Sequence, residues 1–170
     1  MNTQEQQHID NCRLLESALK PSTFVEYRNW VALWKSVYKE ETRRARAYCR
    51  WHREGYMGSH GTCFDIGNTV RNALDNFRLH GKANSGSKDP DSAGNGSVMR
   101  LAPVPMYFGS DADAAIEHSG KSSLTTHGAT TCVDACRYLG GLLWGALNGA
   151  SKEDMLSPRF IEGAGRLVAA

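Results

Sequence analysis

The segment Ala129–Asn148, ATTCVDACRYLGGLLWGALN, decides the fold class of this chain. Its apolar residues recur at spacings of three and four, the period of an α-helix with one buried face. They are Val133, Cys136, Leu139, Leu142, Leu143, Ala146 and Leu147. The segment therefore predicts a long buried helix.

Helical patterns continue on both sides of this segment. The predicted helices cover residues 4–19, about 22–54, 67–79, 111 to 118 or 120, and a short run after Ser151. Val98 to Met106 also follows a helical rhythm, which Pro103 and Pro105 must shorten. Residues 55–63 are predicted to be a loop, and residues 80–92 an exposed, mobile connection. No segment alternates with period two, so the chain is predicted to be all-α.

Length and composition favour one globular domain. The chain has 170 residues, of which 41% are hydrophobic and 22% charged. A net charge of +2 gives no general argument for nucleic acid, and no apolar run is long enough for a bilayer. The N-terminus has no secretory signal, so a cytoplasmic location is expected. Five cysteines without a Cys-x-x-Cys pair favour reduced thiols, with Cys132 and Cys136 as small helix-packing residues.

Four arginines form a stripe along one predicted helix: Arg43, Arg46, Arg50 and Arg53. Such a stripe suits phosphates, but acidic neighbours such as Glu40, Glu41 and Glu54 favour a solvated helix face. The solvated face is the preferred interpretation.

Two glycine- and asparagine-containing segments stand directly before helical runs: Cys63–Thr69 and Ser92–Arg100. Free backbone N–H groups at a helix N-terminus can bind phosphate. Glycine residues there let the phosphate approach the backbone closely. Asp65 adds a carboxylate that can accept hydrogen bonds from ribose hydroxyls or a guanidinium. The alternative is structural, since Asp and Asn cap helices and Gly makes turns. His127 lies in a polar segment before the long helix. It is interpreted as a helix cap or an internal hydrogen-bonding partner, with a ligand contact as the alternative.

Taken in order, four segments resemble the ADP-ribosylglycohydrolase family, and most closely its bacterial dinitrogenase-reductase-activating type. They are Arg50–Tyr56, Gly61–Thr69, Ser92–Pro103 and Thr125–Gly128. The resemblance covers roughly residues 45–157. It implies a compact, orthogonal all-α bundle with a cleft for ADP-ribose, and hydrolysis of the bond between ADP-ribose and arginine.

The resemblance also implies roles for individual residues. Ser92, Ala93, Gly94, Asn95 and Gly96 would wrap the diphosphate and a ribose. Asp65, as the predicted catalytic residue, would face the ribose and its attached group together with Gly67 and Asn68. His127 would lie near the distal ribose or the diphosphate. Met99 and Arg100 would support the loop from behind.

The family normally holds two divalent cations, Mg²⁺ or Mn²⁺, on an upstream Thr-Asp-Asp-Thr segment and a second acidic segment near its C-terminus. No Asp-Asp pair occurs in this chain, and residues 30–37, where the first segment belongs, contain no carboxylate. The expectation is a truncated fold with impaired hydrolysis and no metal ligands among its predicted site residues.

Three hypotheses follow for a single domain, residues 1–170, with divergent N-terminal helices (1–44), a family-like core (45–157) and a tail (158–170). The chain is an ADP-ribosyl hydrolase, a non-catalytic module that binds ADP-ribose or a related nucleotide, or a self-associating remnant. Its expected partner is ADP-ribose or an ADP-ribosylated protein. Apolar helix faces exposed by truncation favour a homo-oligomer in each case.

Overall fold

A computed structural model describes residues 41–157 and Phe160. The predictions made for residues 1–40, including the helices and Cys12 there, lie outside the described residues. So does most of the predicted tail.

Seven α-helices are described, numbered here in chain order. They are α1 (Glu41–Glu54), α2 (Asn68–His80), α3 (Gly96–Met99), α4 (Pro103–Tyr107), α5 (Ala112–Leu124), α6 (Thr130–Leu147) and α7 (Lys152–Met155). A 3-10 turn spans Pro90–Ser92, and the described ranges contain no strand, only an isolated parallel bridge between Ser87 and His127. The prediction of an all-α fold is confirmed.

The helix ends follow the predicted turn chemistry. Gly55, after α1, has a φ of 65°, and Gly81, after α2, has a φ of 70°, both in the left-handed region that glycine tolerates best. Asp111 caps α5 by accepting a hydrogen bond from the Ala114 amide at 2.9 Å. Ser151 caps α7 by accepting from the Asp154 amide at 3.0 Å.

The helices α5 and α6 form the centre of the described fold, and they cross on small residues. A Cβ added at Gly140 of α6 would lie 2.6 Å from the Ser119 Cβ of α5, so the two backbones approach closely only because position 140 is glycine. Beside this crossing, Cys136 packs with Leu101 and Val104 in the buried core. Both Cys132 and Cys136 are buried, as the prediction of packing cysteines requires.

Helix α5 is longer than predicted, because it continues to Leu124 instead of ending at His118 or Gly120. The added turn holds three buried serines, Ser119, Ser122 and Ser123. Ser119 donates to the Ala115 carbonyl at 2.6 Å, and Ser122 donates to the Ser119 carbonyl at 2.8 Å. Because the hydroxyls of Ser119 and Ser122 are satisfied inside the helix, a polar sequence is buried without loss of helical structure.

The connection after α2 is largely exposed, as predicted, but one part of it packs against the rest of the fold. Ser85 is buried, and the Gly86 amide donates to the Leu124 carbonyl at 3.0 Å. The Gly128 amide donates to the Ser87 carbonyl at 2.9 Å. Hydrogen bonds to a distant turn, which leave no periodic signal in the sequence, hold this connection in place.

The arginine stripe on α1 is solvent-exposed, as the preferred interpretation requires. Arg50 pairs with Glu54 at 3.2 Å on the surface of the same helix. Its neighbour Arg44 is 2% exposed and faces the interior instead. Of the helices described, none is long and apolar enough to span a bilayer.

Candidate functional site

The three segments predicted to form the site meet in the structure, and Gly96 is the point where they converge. A Cβ at Gly96 would lie 2.8 Å from the His127 Cε1 atom and 3.5 Å from the Val70 Cγ2 atom in the first turn of α2. Thr69 donates from Oγ1 to the Ser92 carbonyl at 3.2 Å. The loop Ser92–Gly96 therefore lies between the start of α2 and the imidazole of His127.

Glycine at positions 94 and 96 lets this loop lie directly on the imidazole. A Cβ at Gly94 would be 3.5 Å from His127 Nε2, an ordinary contact, whereas the Cβ at Gly96 would overlap the ring. On the other side of the loop, Cys132 lies with its Sγ 3.5 Å from the Gly94 carbonyl and donates to it. The loop therefore contacts α2, the imidazole of His127 and the first turn of α6.

Neither asparagine caps its helix through its side chain. The N-cap of α2 is Gly67, with φ −65° and ψ 151°, and no side chain caps this helix. The N-cap of α3 is Asn95, whose side chain makes no capping hydrogen bond. Gly67, Asn68 and Asn95 are exposed. Backbone N–H groups that side chains do not cap can bind an anion or a hydroxyl oxygen.

Asp65 lies in the extended segment before α2 and is exposed. Cys63 donates from Sγ to the Asp65 carbonyl at 3.7 Å, but within the described ranges the Asp65 carboxylate makes no hydrogen bond. The carboxylate is thus available to an external partner. The structure does not bring it into contact with His127 or with the loop Ser92–Gly96.

His127 is 2% exposed and sits in a network of buried polar side chains. Thr126 Oγ1 lies 2.8 Å from His127 Nδ1, and Ser123 donates from Oγ to the His127 carbonyl at 2.8 Å. Burial lowers the pKa of His127 from 6.5 to about 4, and the nearby Arg100 guanidinium acts in the same direction. The imidazole is therefore neutral at physiological pH.

Two arginines brace this network, and only one of them was expected. Arg100 donates to Thr126 Oγ1 at 2.7 Å and to the Gly96 carbonyl at 3.4 Å, which agrees with support of the loop from behind. Arg44 of α1 donates from Nε to Thr125 Oγ1 at 2.8 Å. Met99 does not share the supporting role, because it is 81% exposed.

Sequence reasoning missed Arg44 because it interpreted the arginines of α1 only as a surface stripe. Arg44 lies between Arg43 and Arg46 and beside Ala45, which is also buried. The available signal was its phase on the helix, since Arg44, Tyr48 and Trp51 follow one another at spacings of four and three.

The described residues do not provide a divalent-cation site. Hard cations such as Mg²⁺ require several oxygen ligands in close geometry. Among residues 41–157 and Phe160, no three or more His, Cys, Asp or Glu side chains are grouped closely enough to hold a metal ion.

The fold and the converging segments define an all-helical protein with a glycine-lined loop laid over a buried histidine. The sequence model of the ADP-ribosylglycohydrolase family matches residues 14–166, and the chain belongs to this family. It is 43% identical over 114 residues to the "ADP-ribosylarginine hydrolase Tri1" of Pseudomonas putida (strain GB-1). It is 38% identical over 112 residues to the protein of the same name from Serratia proteamaculans (strain 568).

These matches cover two thirds of the chain but only part of each relative. They include 67% and 66% of this chain, and 31% of the length of either relative. The chain thus corresponds to about a third of the proteins that carry this name.

Proposed function

We propose that the surface formed by the loop Ser92–Gly96, the start of α2 and His127 binds the ADP-ribose part of an ADP-ribosylated arginine. The observation that carries the proposal is the convergence at Gly96, where three segments distant in sequence meet around one glycine. Backbone N–H groups and a neutral imidazole together offer hydrogen-bond donors for phosphate and ribose oxygens.

Within this surface, the loop Ser92–Gly96 would follow the diphosphate, in keeping with the family to which the chain belongs. The uncapped start of α2, at Gly67 and Asn68, would face a ribose. Asp65 would accept a hydrogen bond from that ribose or from the guanidinium attached to it. The Asp65 carboxylate is exposed and makes no hydrogen bond within the described residues, which supports this last assignment.

We further propose that the chain takes part in hydrolysis of the N-glycosidic bond between ADP-ribose and arginine. Water adds to the anomeric carbon, and the guanidine leaves with a proton. The support is membership of the family and the similarity to two proteins named as ADP-ribosylarginine hydrolases. In this proposal Asp65 would orient the ribose and its leaving group.

The test is release of ADP-ribose from an ADP-ribosylated arginine peptide, with Mg²⁺ or Mn²⁺ added. Asp65→Ala should lower release by at least about 100-fold, since orienting groups of this kind contribute two or more orders of magnitude. Binding of ADP-ribose should change far less. Asp113→Ala, which removes an exposed carboxylate in the first turn of α5, is the matched control and should leave release unchanged.

The second candidate is a protein that binds ADP-ribose without hydrolysing its linkage to arginine. It is favoured by the environment of Asp65, which has no group of further carboxylates around it within the described ranges. This candidate would be established, and the first excluded, by two results together. Calorimetry would show that ADP-ribose binds, and neither the wild type nor Asp65→Ala would release ADP-ribose from the modified peptide. No heat at millimolar ADP-ribose would exclude both.

A further inference from the structure

A chain of three side chains, of which Thr126 and His127 are buried, leads from the end of α3 to the candidate site. Arg100 Nη2 lies 2.7 Å from Thr126 Oγ1, and Thr126 Oγ1 lies 2.8 Å from His127 Nδ1. Thr126 is fully buried, and His127 is 2% exposed. Water therefore does not compete for these contacts, and the hydrogen positions follow from the chemistry of the three groups.

The direction of the first hydrogen bond is fixed by the guanidinium. Arginine stays protonated in proteins and has only donors, so Thr126 Oγ1 must accept from Arg100. The hydroxyl has one proton of its own to donate. The acceptor within reach is His127 Nδ1, at 2.8 Å.

The opposite arrangement would leave a buried group unsatisfied. If His127 carried its proton on Nδ1, that N–H and Arg100 would both donate to Thr126. The hydroxyl proton would then need another acceptor, and the structure shows none among the described residues. A buried polar hydrogen without a partner is costly. In the first arrangement the unpaired hydrogen is on Nε2, which is not among the fully buried side-chain atoms without a partner, so the first arrangement is favoured.

The remaining nitrogen faces the loop. A Cβ at Gly94 would lie 3.5 Å from His127 Nε2, and a Cβ at Gly96 would lie 3.2 Å from it. Nε2 makes no hydrogen bond to any residue that the structure describes. Because burial and Arg100 keep the pKa of the imidazole at about 4, the ring carries a single proton at neutral pH.

We propose that Arg100 is a positioning residue that acts through Thr126 to hold the single ring proton of His127 on Nε2. The imidazole then presents a fixed N–H donor to the loop Gly94–Gly96. There it would bind a phosphate or ribose oxygen of the ligand, and this last part rests on the function proposed above.

The tautomer is measured directly by long-range ¹H–¹⁵N NMR of the full chain labelled at histidine. The chain has six histidines, and the spectrum of His127→Gln identifies the signals of His127. At neutral pH, the wild type should show a pyrrole-type shift for Nε2 and a pyridine-type shift for Nδ1. A pyrrole-type Nδ1 would overturn the proposal whether or not the protein binds ADP-ribose.

Two substitutions at Thr126 separate positioning from packing. Thr126→Val keeps the shape but removes the hydroxyl, so the ring should populate both tautomers and both nitrogen shifts should move towards each other. Thr126→Ser keeps the hydroxyl and should restore the wild-type shifts. Unchanged shifts in Thr126→Val would show that the hydroxyl does not select the tautomer, and would overturn the proposal.

Calorimetry with ADP-ribose tests the consequence for binding. Thr126→Val should bind about 2- to 10-fold more weakly than the wild type, the range expected for one impaired hydrogen bond, and Thr126→Ser should bind as the wild type does. Arg100→Met should also yield mixed tautomers. Absence of binding to the wild type would refute the proposed function, whereas the NMR result would still decide the tautomer.

Discussion

Replacing Gly96 by alanine tests the convergence of the three segments most directly. The new Cβ would lie 2.8 Å from His127 Cε1 and 3.2 Å from Nε2, while carbon atoms pack best at about 3.5–4.0 Å. The ring or the loop must therefore move by about 1 Å. The ring cannot move freely, because Thr126 Oγ1 holds Nδ1 at 2.8 Å.

The expected magnitude follows from overpacking. Forcing extra atoms into a packed site costs about 1–3 kcal/mol. Gly96 is the first residue of α3 and has no positive φ, so alanine brings a small helical gain against this cost. A net loss of about 1–2 kcal/mol should lower the Tm by about 2–8 °C. If the ligand needs the undistorted loop, ADP-ribose should bind about 5- to 30-fold more weakly.

Gly94→Ala is the matched control, two residues away on the same loop. Its Cβ would meet His127 Nε2 at 3.5 Å, an ordinary contact, so its stability should stay within about 0.5 kcal/mol of the wild type. Thermal unfolding followed by circular dichroism compares the two variants, and calorimetry with ADP-ribose follows. Equal melting temperatures and equal affinities for the two variants would refute the described packing of loop and imidazole.

Two further predictions concern acid stability and the crossing of α5 and α6. Because His127 has a pKa of about 4 in the folded state and about 6.5 unfolded, the unfolded chain binds more protons between these values. The free energy of unfolding that depends on the neutral imidazole is fully present above about pH 6.5. It decreases as the pH falls to 4, by up to about 3 kcal/mol. Urea unfolding of His127→Gln should lack this part of the pH slope, and parallel slopes would contradict the assignment. Gly140→Ala should lower the free energy of unfolding by about 1–3 kcal/mol. Adding Ser119→Gly should recover part of this loss. Strictly additive effects of the two substitutions in a double-mutant cycle would argue against the close crossing of α5 and α6.

The sequence predicted the helices well wherever an apolar period or a turn residue marked them. Helix α6 was located from the three- and four-residue spacing of its apolar side chains. The C-terminal end of α1 was predicted at residue 54, before Gly55, and the start of α7 was predicted at Ser151. The prediction failed at the end of α5, because buried serines that bond within their own helix look like a polar loop in a sequence.

The candidate site was only partly predictable, for a different reason. The loop and the histidine were found from their glycines and their order, and the structure brings the loop, the start of α2 and His127 together. The supports of His127 were largely missed. Arg44 comes from α1 and reaches Thr125 across 81 positions of sequence, a pairing that no local pattern encodes. Asp65 was found as a carboxylate, but its partner remains a prediction.

The hydrogen bonds that join Gly86 to Leu124 and Ser87 to Gly128 have a consequence for the order in which the molecule assembles. They close a chain segment of about 40 residues, and the entropy of closing such a loop opposes folding by about 3 kcal/mol. The segment contains the loop Ser92–Gly96, and its closing point is the peptide that follows His127. The surface proposed to bind ADP-ribose therefore does not exist in any partly folded chain that lacks this closure, and occupancy by a ligand would report completed folding rather than local order.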